Sequence, residues 1–293
     1  MTVPVVTATR YVTPLKEGGS LPAVVESEGP NTWVVKFRGA GQGPRALVAE
    51  LIVGLLARAL DLPVPDLALV DVDPAFGRTE KDPEIQDILS GSHGLNVGLR
   101  FLEGSFNLDP TAASDVITQE FASAVVWLDA LVFNPDRTHR NPNILVWERS
   151  PYLIDHGAAL YFHHDWERMT AARAKEPFRQ VGQHVLLDSA DRIEELDPDL
   201  AARLPADVIR RVVAQVPDTL LEEGGGGSGT IGGRRSDGAG RVPASTTSPA
   251  ALRDRYVQFL EARLAGSRDW VRAAAEERKQ VLAATPKRVQ ARR

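Results

Sequence analysis

The chain has 293 residues, 43% of them apolar and 25% charged, with 34 basic against 39 acidic side chains and a net charge of -5. That length suggests two domains or one two-lobed domain, and the composition is that of a globular chain. The acidic balance argues against direct nucleic-acid binding, and the absence of cysteine excludes disulfide scaffolds, thiol nucleophiles and cysteine metal sites. No basic-then-apolar leader opens the sequence and no run of eighteen apolar residues occurs, so a soluble, cytoplasmic protein with no membrane partner is expected.

In chain order, strands are predicted around Tyr11 and Val12, over Ala23 to Glu26 and over Thr32 to Arg38, the last two joined by a Gly29-Pro30-Asn31 turn. Pro44 opens an apolar helix running to about Leu60, which Pro63 and Pro65 end. Leu67 to Val72 returns to strand, a short helix spans Glu84 to Leu89, and Leu95 to Leu102 is a further strand. A helix follows from Thr111 to about Phe133, then two short strands, Asn143 to Trp147 and Tyr152 to Ile154. Helices are expected over Asp191 to Leu196 and Ala206 to Val216, and one final helix carries Leu252, Tyr256, Phe259, Leu264 and Trp270. Between them the glycine- and serine-rich stretch 222–249 has too few apolar residues to offset the entropy of ordering and reads as a disordered loop. The basic tail from Lys287 reads as a solvated end.

The most informative stretch runs Asn134-Pro135-Asp136-Arg137-Thr138-His139-Arg140-Asn141-Pro142-Asn143, between an apolar helix and a strand. Asp155-His156-Gly157 then places a second carboxylate at a strand end. Phosphoryl transfer needs such a layout, because catalysis there consists of positioning a hydroxyl and neutralising phosphate charge. Asp136 is the candidate base, and Asn141 and Asp155 are candidate magnesium ligands, with Asn143 as a competing amide. Lys36, alternating with Val35 and Phe37 on a strand, can present its amine to phosphates, and Glu50 on the next helix can pair with it. Arg137 and His139 either contact phosphate or substrate, or orient Asp136. His163-His164-Asp165 is read as a surface loop, because adjacent histidines rarely reach one ion.

Together, Val35-Lys36-Phe37, the segment Gly43 to Glu50 leading to Leu60-Asp61-Leu62-Pro63, the loop Asn134 to Leu145 and Leu153 to Gly157 resemble the HipA-like kinases. These are bacterial members of the protein-kinase-like and phosphatidylinositol-kinase-like fold. The resemblance implies an α+β, two-lobed fold, with an antiparallel-sheet N-lobe over 1–102 and a mainly helical C-lobe over 103–293. It implies ATP- and Mg-dependent phosphorylation of a Ser or Thr hydroxyl in the cleft between lobes. Lys36 would then bind the phosphates, Asp136 would be the base, and Asn141 and Asp155 would hold magnesium. Arg100, Phe101, Leu102 and Glu103 would form the hinge that meets adenine, and Gly18-Gly19-Ser20 would cover the triphosphate. Founding members carry a further N-terminal subdomain and act in toxin–antitoxin pairs; with Lys36 so early in the chain, that subdomain is expected to be missing. A small molecule or lipid headgroup is the alternative acceptor, and a nucleotide-binding pseudokinase that binds a partner is the alternative without catalysis.

Overall fold

The computed structural model describes residues 2–15, 21–41, 43–78, 80–222 and 247–284. The predicted cover Gly18-Gly19-Ser20, all but the ends of the 222–249 loop, and the basic tail lie outside the described residues. Two compact units are formed, one from 1–55, 65–103 and 210–257, the other from 56–64, 104–209 and 258–293. The grouping is therefore not contiguous at 102/103 as expected: the described part of 210–257 belongs with the first unit.

In the first unit, β1 (Val5–Pro14), β2 (Ala23–Ser27), β3 (Thr32–Lys36), β4 (Leu67–Val72) and β5 (Gly94–Arg100) close into a barrel of order β1-β2-β3-β5-β4. The expected antiparallel sheet holds for four pairings, and the fifth corrects it. Closure is made by β1 pairing in parallel with β4, Val5 beside Leu69 and Thr7 beside Asp71. Alternation along β2, β3 and β4 sends Ala23, Val25, Trp33, Val35, Ala68 and Val70 into one core cluster. The helix α2 (Pro83–Ser90), started by Asp82 accepting the Glu84 N–H, adds Leu89 to it. The helix α1 (Gly43–Ala59) is buried along nearly its whole length after Arg45, as its almost uninterrupted apolar sequence requires.

In the second unit, α3 (Gln119–Val132) is the central helix, capped by the Thr118 hydroxyl and ended by Phe133 in a left-handed conformation. It begins later than predicted because 110–115 forms a separate 3-10 turn. A three-stranded sheet follows, β6 (Phe106–Asn107), β7 (Ile144–Trp147) and β8 (Ser150–Leu153), in which β6 has no signature in the sequence. A short α4 (Ala171–Ala174) precedes α5 (Ile193–Ala202); α6 (Ala206–Val213) runs across the boundary at 209/210, and α7 (Asp218–Glu222) belongs to the first unit. The single final helix predicted is two, α8 (Pro249–Leu264) and α9 (Asp269–Ala284). Gly266 and Arg268 between them take positive φ, and the Arg268 guanidinium is held by both oxygens of Asp197 on α5. Trp270 of α9 packs on Trp127 of α3, ring centroids 5.4 Å apart. Among the described residues, no helix is long and apolar enough to cross a membrane.

The loop after β3 packs so closely on the end of α2 that only glycine fits. A Cβ on Gly39 would stand 2.6 Å from the Ile88 carbonyl oxygen and 2.9 Å from the Gly91 backbone, whereas one on Gly41 meets nothing within 4 Å. Gly39→Ala is expected to lower stability by about 1–3 kcal/mol, and Gly41→Ala to change it by less than about 0.5 kcal/mol. Urea unfolding midpoints of the two variants check this.

Candidate active site

In the first unit, Lys36 ends β3 on the face opposite Val35, turned away from the core cluster. Its Nζ donates to Glu50 Oε2 of α1 at 2.7 Å, with both side chains buried. A carboxylate at 0% exposure on an apolar helix is tolerable only with a close cation, and the strand supplies it. The expected pair therefore forms. At the predicted hinge, the Arg100 N–H donates to the Asp66 carbonyl and the Phe101 N–H to that of Thr32, at 2.7 and 2.8 Å. Leu102 is buried, while Phe101 and Glu103 are exposed. The first unit's central segment ends at Glu103.

In the second unit, the loop after α3 is arranged around the carboxylate of Asp136. Its Oδ2 accepts from Asn141 Nδ2 at 2.8 Å and from Asn143 Nδ2 at 3.2 Å. Its Oδ1 accepts no hydrogen bond among the described residues, so one oxygen is fixed and the other is open to a hydroxyl proton. Each amide spends its nitrogen on Asp136 and keeps its oxygen. Those amide oxygens and the Asp155 carboxylate are hard oxygen donors of the kind that could hold magnesium. Asn141 is exposed, whereas Asn143 is buried at φ 51 and its carbonyl accepts the Ile154 N–H at 3.1 Å. Asp155, half-buried, also takes a left-handed φ of 54, one that Asp and Asn tolerate better than most residues. Among the described residues, no three His, Asp or Glu side chains cluster as a metal site. His163 stacks edge-on against His164, but it is 1% exposed rather than on the surface as expected.

A buried ionic network underlies this loop. Asp129, in the last turn of α3, accepts from Arg137 Nε at 2.6 Å, His184 Nε2 at 2.9 Å and Asn134 Nδ2 at 2.9 Å. Arg137 also donates to the Asn143 carbonyl, to the Ile154 carbonyl at 3.4 Å and to His156 Nδ1 at 3.2 Å. One guanidinium thus joins the loop carrying Asp136 to the segment carrying Asp155. Asn134 Oδ1 accepts the Asp136 N–H at 3.2 Å, completing the frame. Burial opposes ionisation of Asp129, but the Arg137 charge and the His184 and Arg137 hydrogen bonds hold its carboxyl well below the usual range. Of the two residues suspected of orienting Asp136, Arg137 is thus built inward, while His139 is exposed. The roles of Asp129 and His184 escaped sequence reasoning, although an acid within the apolar run Phe121–Val132, a turn before a polar loop, was a visible signal.

The family model for HipA-like kinases matches residues 9–225. The chain belongs to the HipA-like kinase family, and the protein is a kinase. No curated protein matches it in sequence. Among solved structures, it is similar to the Helicobacter pylori proinflammatory kinase CtkA, with 10% identity, a TM-score of 0.47 and coverage of 89% of this chain and 95% of that one. At that distance the likeness bears on no individual residue.

His184 is pinned as the neutral tautomer: Nε2–H faces Asp129, and Nδ1 accepts the Leu186 N–H at 3.0 Å. Burial, outweighing the Asp129 carboxylate, holds its pKa below the ordinary 6.5. A depressed histidine pKa means the unfolded chain takes up the proton first. The contribution to stability is therefore complete above pH 6.5 and is lost as pH falls below it, with a slope of at most about 1.4 kcal/mol per pH unit. Urea unfolding between pH 7.5 and 5.5 is expected to show this loss, and His184→Gln to flatten it.

Proposed function

We propose that the protein transfers the γ-phosphoryl group of ATP, in the presence of magnesium, to a Ser or Thr hydroxyl of a protein. The observation that carries this reading is the Asp136 carboxylate, one oxygen held by two amides and the other open. A general base must be oriented before its substrate arrives, and this one is. Asp136 takes the hydroxyl proton at Oδ1. The Asn141 amide oxygen and the Asp155 carboxylate hold magnesium, with Asn143 as the second amide within reach of Asp136. Lys36, its amine positioned by Glu50, binds phosphate oxygens, and the backbone of Arg100 to Glu103 receives adenine. Magnesium, when bound, offsets the negative charge of the transferring phosphoryl group. The same residues could serve a small-molecule or lipid acceptor, but nothing in the site favours one. The intact set Lys36, Asp136, Asn141 and Asp155 speaks against a pseudokinase.

Transfer of label from γ-labelled ATP and magnesium, to the protein itself or to a mixture of Ser and Thr peptides, tests the proposal. Asp136→Ala and Asp155→Asn are each expected to reduce transfer by about 10²–10⁴-fold. Glu50→Gln is expected to raise the KM for ATP. Of Asn141→Ala and Asn143→Ala, the one that raises the half-saturating magnesium concentration more identifies the metal-binding amide. Equal transfer by wild type, Asp136→Ala and Asp155→Asn overturns the assignment.

A further inference from the structure

A cavity of about 410 Å3 lies in the second unit, walled by the end of α3 and by residues 161–180. Its apolar surface comes from Phe133, Tyr161 and Phe178. Phe178 stacks on Phe133 at 5.5 Å and 15°, and Tyr161 at 6.1 Å and 28°. Arg168, Arg173 and Arg179 are also in its lining, with Asp165 and Glu176 as the acids. Arg168 is balanced by Asp165 at 3.0 Å, and Arg173 donates to the Arg168 carbonyl. Arg179 is exposed and makes no ion pair or hydrogen bond through its side chain among the described residues.

Behind this wall lies a further cation. Arg263 of α8 is 0% exposed, and its guanidinium sits 4.4 Å from the Phe133 ring centroid. It is satisfied by the carbonyls of Ala130, Leu131, Ala174 and Glu176, and no carboxylate among the described residues pairs with it. Burial draws its pKa down to about 9, so it stays protonated at neutral pH. With the Arg168–Asp165 pair cancelling, the lining keeps Arg173 and Arg179 against Glu176, and Arg263 adds a buried positive charge behind Phe133. The cavity is therefore both aromatic and net positive.

Its composition points to a polypeptide ligand. Eight of its twelve lining residues are Phe, Tyr, Met or Arg, and none is lysine. Aromatic residues, Met and Arg are the types enriched where proteins recognise proteins. The volume is at the small end for a ligand cavity and suits one large side chain with its neighbours. Phe133 is three residues before Asp136, so the two α-carbons are at most about 11 Å apart. That separation is short enough for one peptide to span both the cavity and Asp136.

We propose that this cavity is a specificity site for the phosphoacceptor, taking an aromatic side chain of a peptide flanked by acidic residues. The aromatic side chain packs on Phe133, Tyr161 and Phe178, and the flanking carboxylate meets Arg179 and Arg173. The assignment rests on the reading of the protein as a protein kinase, and its test has one arm independent of that reading.

The first arm uses a synthetic Ser-centred peptide library with γ-labelled ATP, followed by steady-state kinetics on the best peptide. Aromatic and acidic residues are expected to be selected. Tyr161→Ala and Arg179→Glu are expected to raise the peptide KM about tenfold with a smaller effect on kcat, and Arg179→Glu to shift selection from acidic toward basic flanks. The second arm measures fluorescence anisotropy of labelled peptides in which Ser is replaced by Ala, comparing Trp-Glu, Trp-Lys and Ala-Glu versions. Tightest binding of the Trp-Glu version, weakened by both substitutions, supports the site even if no phosphate is transferred. Transfer that depends on Asp136 but shows no aromatic or acidic selection and no change in KM overturns the site and leaves the kinase reading standing. Equal binding of the three peptides overturns it as well.

Discussion

The carboxylate of Asp129 is removed from water at the end of an apolar helix, and the arrangement of the second unit depends on how that charge is answered. Taking such an ion out of water costs several kcal/mol unless nearby groups compensate. Three donors do so, from Asn134, Arg137 and His184. Each comes from a segment that would otherwise be an irregular loop. Arg137 is itself buried, so its remaining N–H groups must find acceptors, and they find them on Asn143, Ile154 and His156. The loop of Asp136 and the segment of Asp155 are in this way drawn onto one guanidinium by the ordinary requirement that buried polar groups be satisfied.

The first unit solves a similar problem with fewer parts. Helix α1 carries one fully buried acid, Glu50, answered by the strand lysine Lys36. In each unit an apolar helix holds a carboxylate where the solvation cost is high, and a cation from an adjoining segment is fixed by it. A pair of this kind contributes little net stability compared with apolar packing, but losing one partner is expensive, about 3–5 kcal/mol. Such pairs therefore enforce a position, that of the Lys36 amine in one unit and that of the Asp136 loop in the other.

Much of this was legible in the sequence. The strands β2 to β5, helices α1 and α2, and the Asp136 and Asp155 segments follow from apolar periodicity, turn residues and motif order. The Lys36–Glu50 pair was also visible, as a strand lysine followed by a glutamate on the next helix. What stayed hidden depends on contacts distant in sequence. The parallel β1–β4 closure joins residues more than sixty positions apart, and β6 is two residues long and defined only by its pairing with β7. The break between α8 and α9 is set by Arg268 meeting Asp197. His163 looked like a surface residue beside His164, yet the fold buries it and leaves its neighbour exposed. Asp129 and His184 lie fifty-five positions apart, and no local pattern couples them.

The central claim is that Asp129, acting through Arg137, holds the Asp136 loop and the Asp155 segment as one body. Amide hydrogen exchange in wild type and Asp129→Asn tests it directly. Exchange is expected to speed up about tenfold or more in both Asn134–Asn143 and Ile154–Gly157, a tenfold change corresponding to about 1.4 kcal/mol of lost protection. Acceleration confined to the last turn of α3, with Ile154–Gly157 unchanged, would contradict it.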